Sequence, residues 1–262
     1  MHRISHLFTK MISNSQIKFI RQLSMKKYRQ RSGLFVAEGP KVVGDLIKAG
    51  LEPHMVYAVD SYIPPVGLLS FQKVTADELC RISFLQHPQQ VLAVFPVPQT
   101  SCVMEGKDSS SAVIGSGLHI ALDGVQDPGN LGTIIRIADW FGINTVFCSL
   151  DTVDVWNPNV VQATMGSIAR VKVVYTSLVD IFNHTNLPIY GTLLDGDDIY
   201  DQQLSAQGII VMGNEGNGIS HDIRQYVTKR LLIPSFSVGN SAESLNVAIA
   251  TAIVCSEFRR RM

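Results

Sequence analysis

The sequence predicts an α/β protein, with a parallel sheet in its C-terminal part and a smaller mixed α/β domain before it. After residue 117, short apolar stretches alternate with segments of helical periodicity, which is typical of a parallel sheet covered on both faces. A stretch rich in Pro, Gly and Ser precedes this alternation and has the composition of a linker. We therefore predict an N-terminal domain at residues 1–98, a linker at 99–117 and a C-terminal domain at 118–262.

The N-terminal part opens with helical spacing at residues 15–29, where Ile17, Ile20 and Leu23 recur on one face. Further helices are predicted at 40–49 and 76–82, and strands at 34–37, 55–59 and 91–95.

The C-terminal part repeats strand, loop and helix. Strands are predicted at 119–122, 145–149, 171–175, 189–194, 208–212 and 229–233. Helices are predicted at 131–141, 158–168, 222–227 and 244–258. Ser220 is a candidate N-cap for the third of these helices.

Composition excludes several classes of protein. With 46% apolar and 17% charged residues, the chain can bury a substantial core and is not predicted to be disordered. No apolar run reaches the ~18 residues of a membrane span, and no secretory signal is predicted. The four cysteines (80, 102, 148 and 255) have no C-x-x-C spacing and the seven histidines are scattered, so we predict no metal site and a reducing, cytoplasmic location.

The net charge is zero, but positive and negative residues are distributed unevenly along the chain. Residues 1–41 carry nine Lys and Arg but only one acid, Glu38, so their charge of +8 is balanced by −8 in the rest of the chain. Such a basic block is typical of a nucleic-acid contact, although a solvated helix face would have the same composition.

Three loops in the C-terminal part each leave an apolar strand and enter a helix, at residues 127–132, 213–220 and 232–246. Loops at the carboxyl ends of strands are where open α/β sheets bind ligands. The first loop lacks the G-x-G-x-x-G of dinucleotide-binding domains, and no Walker A motif is present. The sequence therefore disfavours NAD or ATP as the ligand.

Together these loops resemble the three motifs of the SpoU (TrmH) family of RNA ribose 2′-O-methyltransferases, within the SPOUT superfamily. Asn130, Gly132 and Arg136 match the family's first motif in identity and spacing. The run from Gly33 to Gly39, followed by Lys41, is similar to the start of the RNA substrate-binding domain attached to many of these enzymes, which has a fold like ribosomal protein L30. The resemblance implies a trefoil-knotted SPOUT domain, a homodimer and S-adenosylmethionine as cofactor.

The resemblance also implies roles for individual residues. The catalytic candidates are Asn130, Arg136, Glu215, Ser244 and Asn246. The candidates for binding S-adenosylmethionine are Gly213, Asn214, Gly218, Leu232, Ile233, Pro234, Ser244, Leu245 and Asn246. The connection at 235–242 is a few residues longer than is usual in the family, which leaves backbone contacts there open.

The residues alone leave alternatives for three candidates. Glu215 could accept a hydrogen bond from a ligand or orient Asn130. Ser244 could be only the N-cap of the last helix. Arg136 could be a solvated surface charge, and within the family reading it could be either the base or the anchor of a substrate phosphate. An arginine normally keeps its proton, which favours the anchor.

The sequence thus predicts an S-adenosylmethionine-dependent RNA (ribose-2′-O)-methyltransferase that needs no metal. The L30-like domain favours ribosomal RNA over transfer RNA as the partner. The alternative is a non-catalytic RNA-binding or ribosome-assembly factor that retains the fold; loss of Asn130, Arg136 or Asn246 would have favoured it, and all three are present.

Overall fold

A computed structural model describes residues 11–98, 114–237 and 243–260. The chain divides into two compact units, each with its own apolar core. The N-terminal unit comprises Met1–Gln99 and Asp154–Arg170, and the C-terminal unit comprises Thr100–Val153 and Val171–Met262. Among the described residues, no helix has both the length and the apolar character needed to cross a membrane.

The helices are α1 (Asn14–Gln22), α2 (Lys26–Ser32), α3 (Pro40–Lys48), α4 (Ala76–Ile82), α5 (Pro128–Trp140), α6 (Pro158–Ala163), α7 (Leu178–Asn183), α8 (His221–Arg224) and α9 (Val247–Arg260). The strands are β1 (Leu34–Glu38), β2 (Met55–Ala58), β3 (Gln72–Lys73), β4 (Val91–Pro96), β5 (Leu118–Leu122), β6 (Thr145–Cys148), β7 (Lys172–Tyr175), β8 (Ile189–Asp198), β9 (Gly208–Met212) and β10 (Lys229–Leu232).

The N-terminal unit contains a four-stranded sheet in the order β1-β4-β2-β3. Strand β4 pairs antiparallel with β1 and β2, and β2 pairs parallel with the short β3. This mixed sheet agrees with the α/β character predicted for residues 1–98.

The helix predicted at 15–29 is two helices in the structure, because Arg29 holds a turn between them. Its Nη1 donates to the carbonyl oxygens of Leu23 and Ser24, both at 2.8 Å, which satisfies carbonyls exposed where α1 ends. Its Nε and Nη2 donate to Asp154 Oδ2 at 3.0 and 2.5 Å. Arg29 is only 3% exposed. It is therefore a structural residue, and the basic block at 1–41 offers one cation fewer to RNA than its composition indicates.

The segment Asp154–Arg170 lies between β6 and β7 in sequence, yet it packs within the N-terminal unit. The ring of Trp156 lies 4.3 Å from that of Phe35, centroid to centroid. Arg170 lies 3.5 Å from the carboxylate of Asp45. The segment therefore belongs to the N-terminal unit. It divides the C-terminal domain predicted at 118–262 into two stretches of sequence. The exact domain boundaries stay a prediction.

We expect the Arg29→Ala variant to lose about 3 kcal/mol of unfolding free energy, because removing one partner of a buried ion pair leaves the other uncompensated. The matched control is Arg31→Ala, an exposed arginine in the same helix, for which we expect a change within about 0.5 kcal/mol. Urea denaturation followed by circular dichroism measures both. Equal stabilities of the two variants would show that the Arg29–Asp154 pair contributes nothing.

The C-terminal unit contains a six-stranded sheet in the order β10-β8-β9-β5-β6-β7, and all five neighbouring pairs are parallel. The central strands β5 and β9 are buried along their whole length, as expected for a sheet covered on both faces. The predicted parallel sheet is confirmed. The sequence did not predict the short helix α7, although Ser177 gives it a side-chain N-cap.

Helices α5 and α9 lie side by side and run in the same direction. At their N-terminal ends, Asn246 Nδ2 donates to Asn130 Oδ1 at 2.9 Å. At their C-terminal ends, Arg259 donates to the carbonyl oxygens of Phe141 and Gly142 at 2.8 and 3.2 Å. The two helices are thus fixed to one another over about 20 Å, the length of 13 or 14 helical residues.

Candidate active site

The first loop folds as a capped helix start. Asp127 has extended backbone angles and its Oδ1 accepts from the backbone N–H of Asn130 at 2.8 Å. Pro128 occupies the first turn of α5, where no N–H is needed. The Cβ of any residue other than glycine at 129 would lie 3.1 Å from Asp127 Oδ1. The sequence Asp-Pro-Gly-Asn therefore places the half-buried Asn130 at the N-terminal end of α5.

The second loop, Gly213 to Gly218, is closed by its own backbone. Asn214 and Gly218 exchange two backbone hydrogen bonds of 2.9 Å. A Cβ at Gly213 would overlap the backbone of Gly218, so only glycine fits there. The side chain of Asn214 accepts from the N–H groups of Gly216 and Asn217 and donates to the carbonyl oxygen of Gly124 at 2.7 Å. Asn214 therefore holds the loop in place with both its side chain and its backbone.

Glu215 connects this second loop to the first. Its Oε1 accepts from Asn130 Nδ2 at 3.0 Å and from the N–H of Asp127 at 3.2 Å, and its Oε2 accepts from the N–H of Gln126 at 3.3 Å. Partial burial raises the pKa of Glu215, but the hydrogen bonds, that of Asn130 foremost, outweigh it and hold the pKa below its ordinary value. Glu215 is therefore ionised at neutral pH and can only accept hydrogen bonds.

The third loop runs from the end of β10 to the start of α9, and residues 238–242 lie outside the described residues. The expected longer connection at 235–242 falls largely on them. The helix predicted at 244–258 begins later, at Val247, because Asn246 is its N-cap. Asn246 Oδ1 accepts from the N–H groups of Ala248 and Ile249 at 3.0 and 3.2 Å. The interpretation of Ser244 as the N-cap is therefore wrong, and Ser244 and Leu245 are exposed ahead of the helix.

Glu215, Asn130 and Asn246 form one hydrogen-bonded chain that joins all three loops. Glu215 cannot donate, so Asn130 must turn its NH₂ group toward the carboxylate and its oxygen toward Asn246. Asn246 then donates to that oxygen and turns its own oxygen toward the N-terminus of α9. One ionised carboxylate thereby fixes the orientation of two amide side chains.

Arg136 lies on α5, six residues after Asn130, and its side chain is exposed. None of the residues that the structure describes forms an ion pair or hydrogen bond with it. The structure thus brings together three of the five predicted catalytic residues, and leaves Arg136 and Ser244 exposed without a bond to that chain. Among the predicted cofactor residues, Leu232 is the last residue of β10, and Ile233 and Pro234 follow it directly. All three are half-buried.

The sequence analysis included Asp127 in the first loop without giving it a role, and it missed Asp123. Asp123 is buried, and its Oδ2 accepts from the N–H of Ser220 at 2.7 Å, which fixes the far end of the second loop. For Asp127 a signal existed, because an Asp directly before Pro is a typical helix start. For Asp123 no local signal exists, since its partner lies 97 positions away.

Comparison with known proteins gives consistent matches over both parts of the chain. The model of the SpoU rRNA Methylase family matches residues 117–256, and that of the MRM3-like substrate binding domain matches residues 14–93. The 23S rRNA (guanosine(2553)-2′-O)-methyltransferase RlmP of Bacillus subtilis is 28% identical over 254 residues, which cover 94% of this chain and 96% of that protein.

Two solved structures are similar over nearly the whole chain. A TrmH-family protein from Porphyromonas gingivalis is 40% identical with a TM-score of 0.81, covering 97% of this chain and 100% of the other. An AdoMet-bound rRNA methyltransferase from Sinorhizobium meliloti is 27% identical with a TM-score of 0.78, covering 98% of both chains.

Proposed function

Because the chain belongs to the SpoU rRNA methylase family, we propose that it transfers a methyl group from S-adenosylmethionine to a ribose 2′-hydroxyl of ribosomal RNA. The observation that carries this proposal is the hydrogen-bonded chain of Glu215, Asn130 and Asn246. It joins three loops at the carboxyl edge of a parallel sheet, where such sheets bind ligands.

The residues at this edge fit S-adenosylmethionine. Gly216 and Gly218 carry no side chains, so a ligand can approach the backbone of the second loop closely. Leu232 and Ile233 are half-buried and Leu245 is exposed, which supplies apolar surface for the faces of a purine ring. When bound, S-adenosylmethionine supplies a methyl group already activated by a sulfonium, so the transfer requires only that the reactants are oriented and that one hydroxyl proton is removed.

The role we assign to Arg136 is to bind a phosphate of the RNA and polarise the target hydroxyl. A guanidinium does not lose its proton at neutral pH, which argues against a role as base. An exposed arginine with no partner among the described residues is available for the planar, bidentate contact that phosphates favour. Methyl transfer by in-line displacement then depends on how accurately the ribose is held.

The N-terminal unit is the proposed RNA-binding part. Lys18, Lys26, Lys27 and Arg31 are exposed on α1 and α2, and the matching substrate-binding model covers these helices. We propose ribosomal RNA rather than transfer RNA as the substrate, because the names of the relatives described above refer to rRNA. The L30-like fold of this unit, the trefoil knot and a cytoplasmic location are parts of the same proposal.

The function is tested with purified protein, radiolabelled S-adenosylmethionine and an unmodified 23S rRNA transcript. We expect methyl transfer to ribose by the wild type and a loss of about 100-fold in the Glu215→Gln variant. Glutamine has one acceptor oxygen, so its NH₂ group would face a donor, either the N–H of Gln126 or the donors of Asp127 and Asn130, and the side chain would no longer hold Asn130 firmly in one orientation. The control is Glu52→Gln, an exposed residue of the N-terminal unit, which should be fully active. RNA binding without any transfer by the wild type would favour the non-catalytic alternative instead.

We also propose that the protein is a homodimer through the outer face of α5 and α9. Trp140 is 85% exposed and Ile249 is 53% exposed, so these neighbouring helices present large apolar side chains that a second copy of the chain could cover. Sedimentation should give a dimer for the wild type and a monomer for Trp140→Glu. Leu194→Glu, which alters an equally apolar exposed residue on β8, should stay dimeric. A monomeric wild type would refute the proposal.

A further inference from the structure

A second feature of the same sheet edge is the turn after β6, residues 149–152, which we call the β6 turn. The N–H of Ser149 donates to the carbonyl oxygen of Leu122 at 2.9 Å, and the N–H of Thr152 donates to that of Ser149 at 3.0 Å. The hydroxyls of Ser149 and Thr152 lie 3.0 Å apart, and that of Thr152 also reaches the oxygen of Leu122. Because Thr152 is buried, the turn is rigidly attached to the end of β5.

This rigid turn presents two side chains to solvent, Leu150 and Asp151. Leu150 is 57% exposed. Within residues 11–98, 114–237 and 243–260, the Asp151 carboxylate has no hydrogen-bond or ion-pair partner. The other carboxylates described at this edge, those of Asp123, Asp127 and Glu215, each accept from backbone N–H groups. The turn thus holds Asp151 in place, while both carboxylate oxygens remain available to accept hydrogen bonds from a ligand.

Asp151 lies next to the loop that carries Glu215. Gly124 separates them: a Cβ there would lie 3.0 Å from Asp151 Oδ2 and 3.8 Å from Asn214 Cβ. The N–H of Gly124 donates to Ser149 Oγ at 2.8 Å, and its carbonyl oxygen accepts from Asn214, the neighbour of Glu215. The absence of a side chain at 124, where φ is +71°, leaves the space beside the Asp151 carboxylate open on this side.

A carboxylate that can only accept hydrogen bonds selects strongly among the bases of RNA. Guanine presents two adjacent donors on its Watson–Crick edge, the N1–H and the 2-amino group. Adenine and cytosine present a donor beside an acceptor, and uracil a single donor between two carbonyl oxygens. Unstacked bases in RNA are commonly read on this edge while an apolar side chain packs on the ring.

From this geometry we propose that Asp151 determines the base specificity of the enzyme. Its two oxygens accept from N1–H and the 2-amino group of a guanine at the target nucleotide, and Leu150 packs against the ring. This inference rests on the proposed function, because it concerns the nucleotide whose ribose is presented to the site.

The test uses the full-length protein and an unmodified 23S rRNA transcript. Sequencing first maps the methylated nucleotide, and a second transcript then carries inosine there, which lacks the 2-amino group. We expect the mapped nucleotide to be a guanosine and inosine to lower kcat/KM about tenfold in the wild type. The Asp151→Ala variant should lose about tenfold on the guanosine transcript and no longer distinguish the two transcripts. Its affinity for S-adenosylmethionine should be unchanged, which shows that it is folded.

The matched control is Asp222→Ala, which removes an exposed carboxylate of the same unit and should keep the full preference for guanosine. A target other than guanosine would overturn the inference. So would an Asp151→Ala variant that keeps the preference, even if it is slower on both transcripts, because that result assigns Asp151 to the chemical step. These outcomes leave the proposed methyl transfer intact, whereas a wild type that transfers no methyl group at all overturns both.

Discussion

The Arg136→Ala variant is expected to lose at least about 100-fold in the rate of methyl transfer, while its affinity for S-adenosylmethionine stays within a few-fold of the wild type. The reason is its position: Arg136 is exposed on α5 and takes no part in the hydrogen-bonded chain that holds the three loops together. Its removal leaves that chain unaltered and affects only a group that contacts the RNA. Single-turnover kinetics and calorimetry separate the two quantities.

Two further variants make this expectation sharper. Arg136→Lys keeps the charge but not the planar pair of donors, so we expect only partial recovery of the rate. Arg224→Ala removes a half-exposed arginine of the same unit, one that pairs with Asp195, and should leave methyl transfer unchanged. Near-normal turnover by Arg136→Ala would return this residue to the status of a surface charge.

Substitution of Asn246 is expected to impair both donor binding and turnover, each by about tenfold or more. The side chain has two roles, since its oxygen caps α9 and its NH₂ group orients Asn130. In the Asn246→Ala variant both roles are lost, and the missing cap alone costs about 1 kcal/mol of stability.

The Asn246→Asp variant separates these roles. An aspartate still caps the helix, so thermal stability should remain close to that of the wild type. Its second oxygen would face Asn130 Oδ1, however, and Asn130 could avoid this only by turning its NH₂ group away from Glu215. We therefore expect a stable protein with weakened donor binding and slow methyl transfer. A fully active Asn246→Asp variant would contradict the role given to the hydrogen-bonded chain.

The start of α9 shows where sequence reasoning stops. Ser244 and Asn246 are both good N-cap residues, and the local sequence does not decide between them. In the structure the N-cap is Asn246, which also forms a hydrogen bond with Asn130, 116 positions earlier in the chain. The resemblance to a family identified the site residues, and the orientation of Asn130 by Glu215 was one of the roles considered, but the bond between Asn246 and Asn130 was not predicted from the sequence.

The same distinction applies to charge and to the sheet. Arg29 was counted in the basic block because composition does not reveal burial, and its partner Asp154 is 125 positions away. The parallel sheet, in contrast, was predictable from local sequence, since a strand buried on both faces must be apolar throughout. Features that depend on the composition of one segment were predicted. Of the contacts between distant segments described above, only that of Glu215 with Asn130 was among the alternatives that the sequence offered.

The placement of residues 154–170 has a consequence for how the protein is made. During synthesis the chain of the N-terminal sheet is complete at Pro96, but Arg29 and Phe35 obtain Asp154 and Trp156 only when this later segment has left the ribosome. Domains usually fold in order as they emerge. Here the first unit is finished only after strands β5 and β6 of the second have been synthesised. While the chain between Pro96 and Arg170 is being synthesised, the ring of Phe35 and the guanidinium of Arg29 therefore lack the partners that cover them in the finished protein.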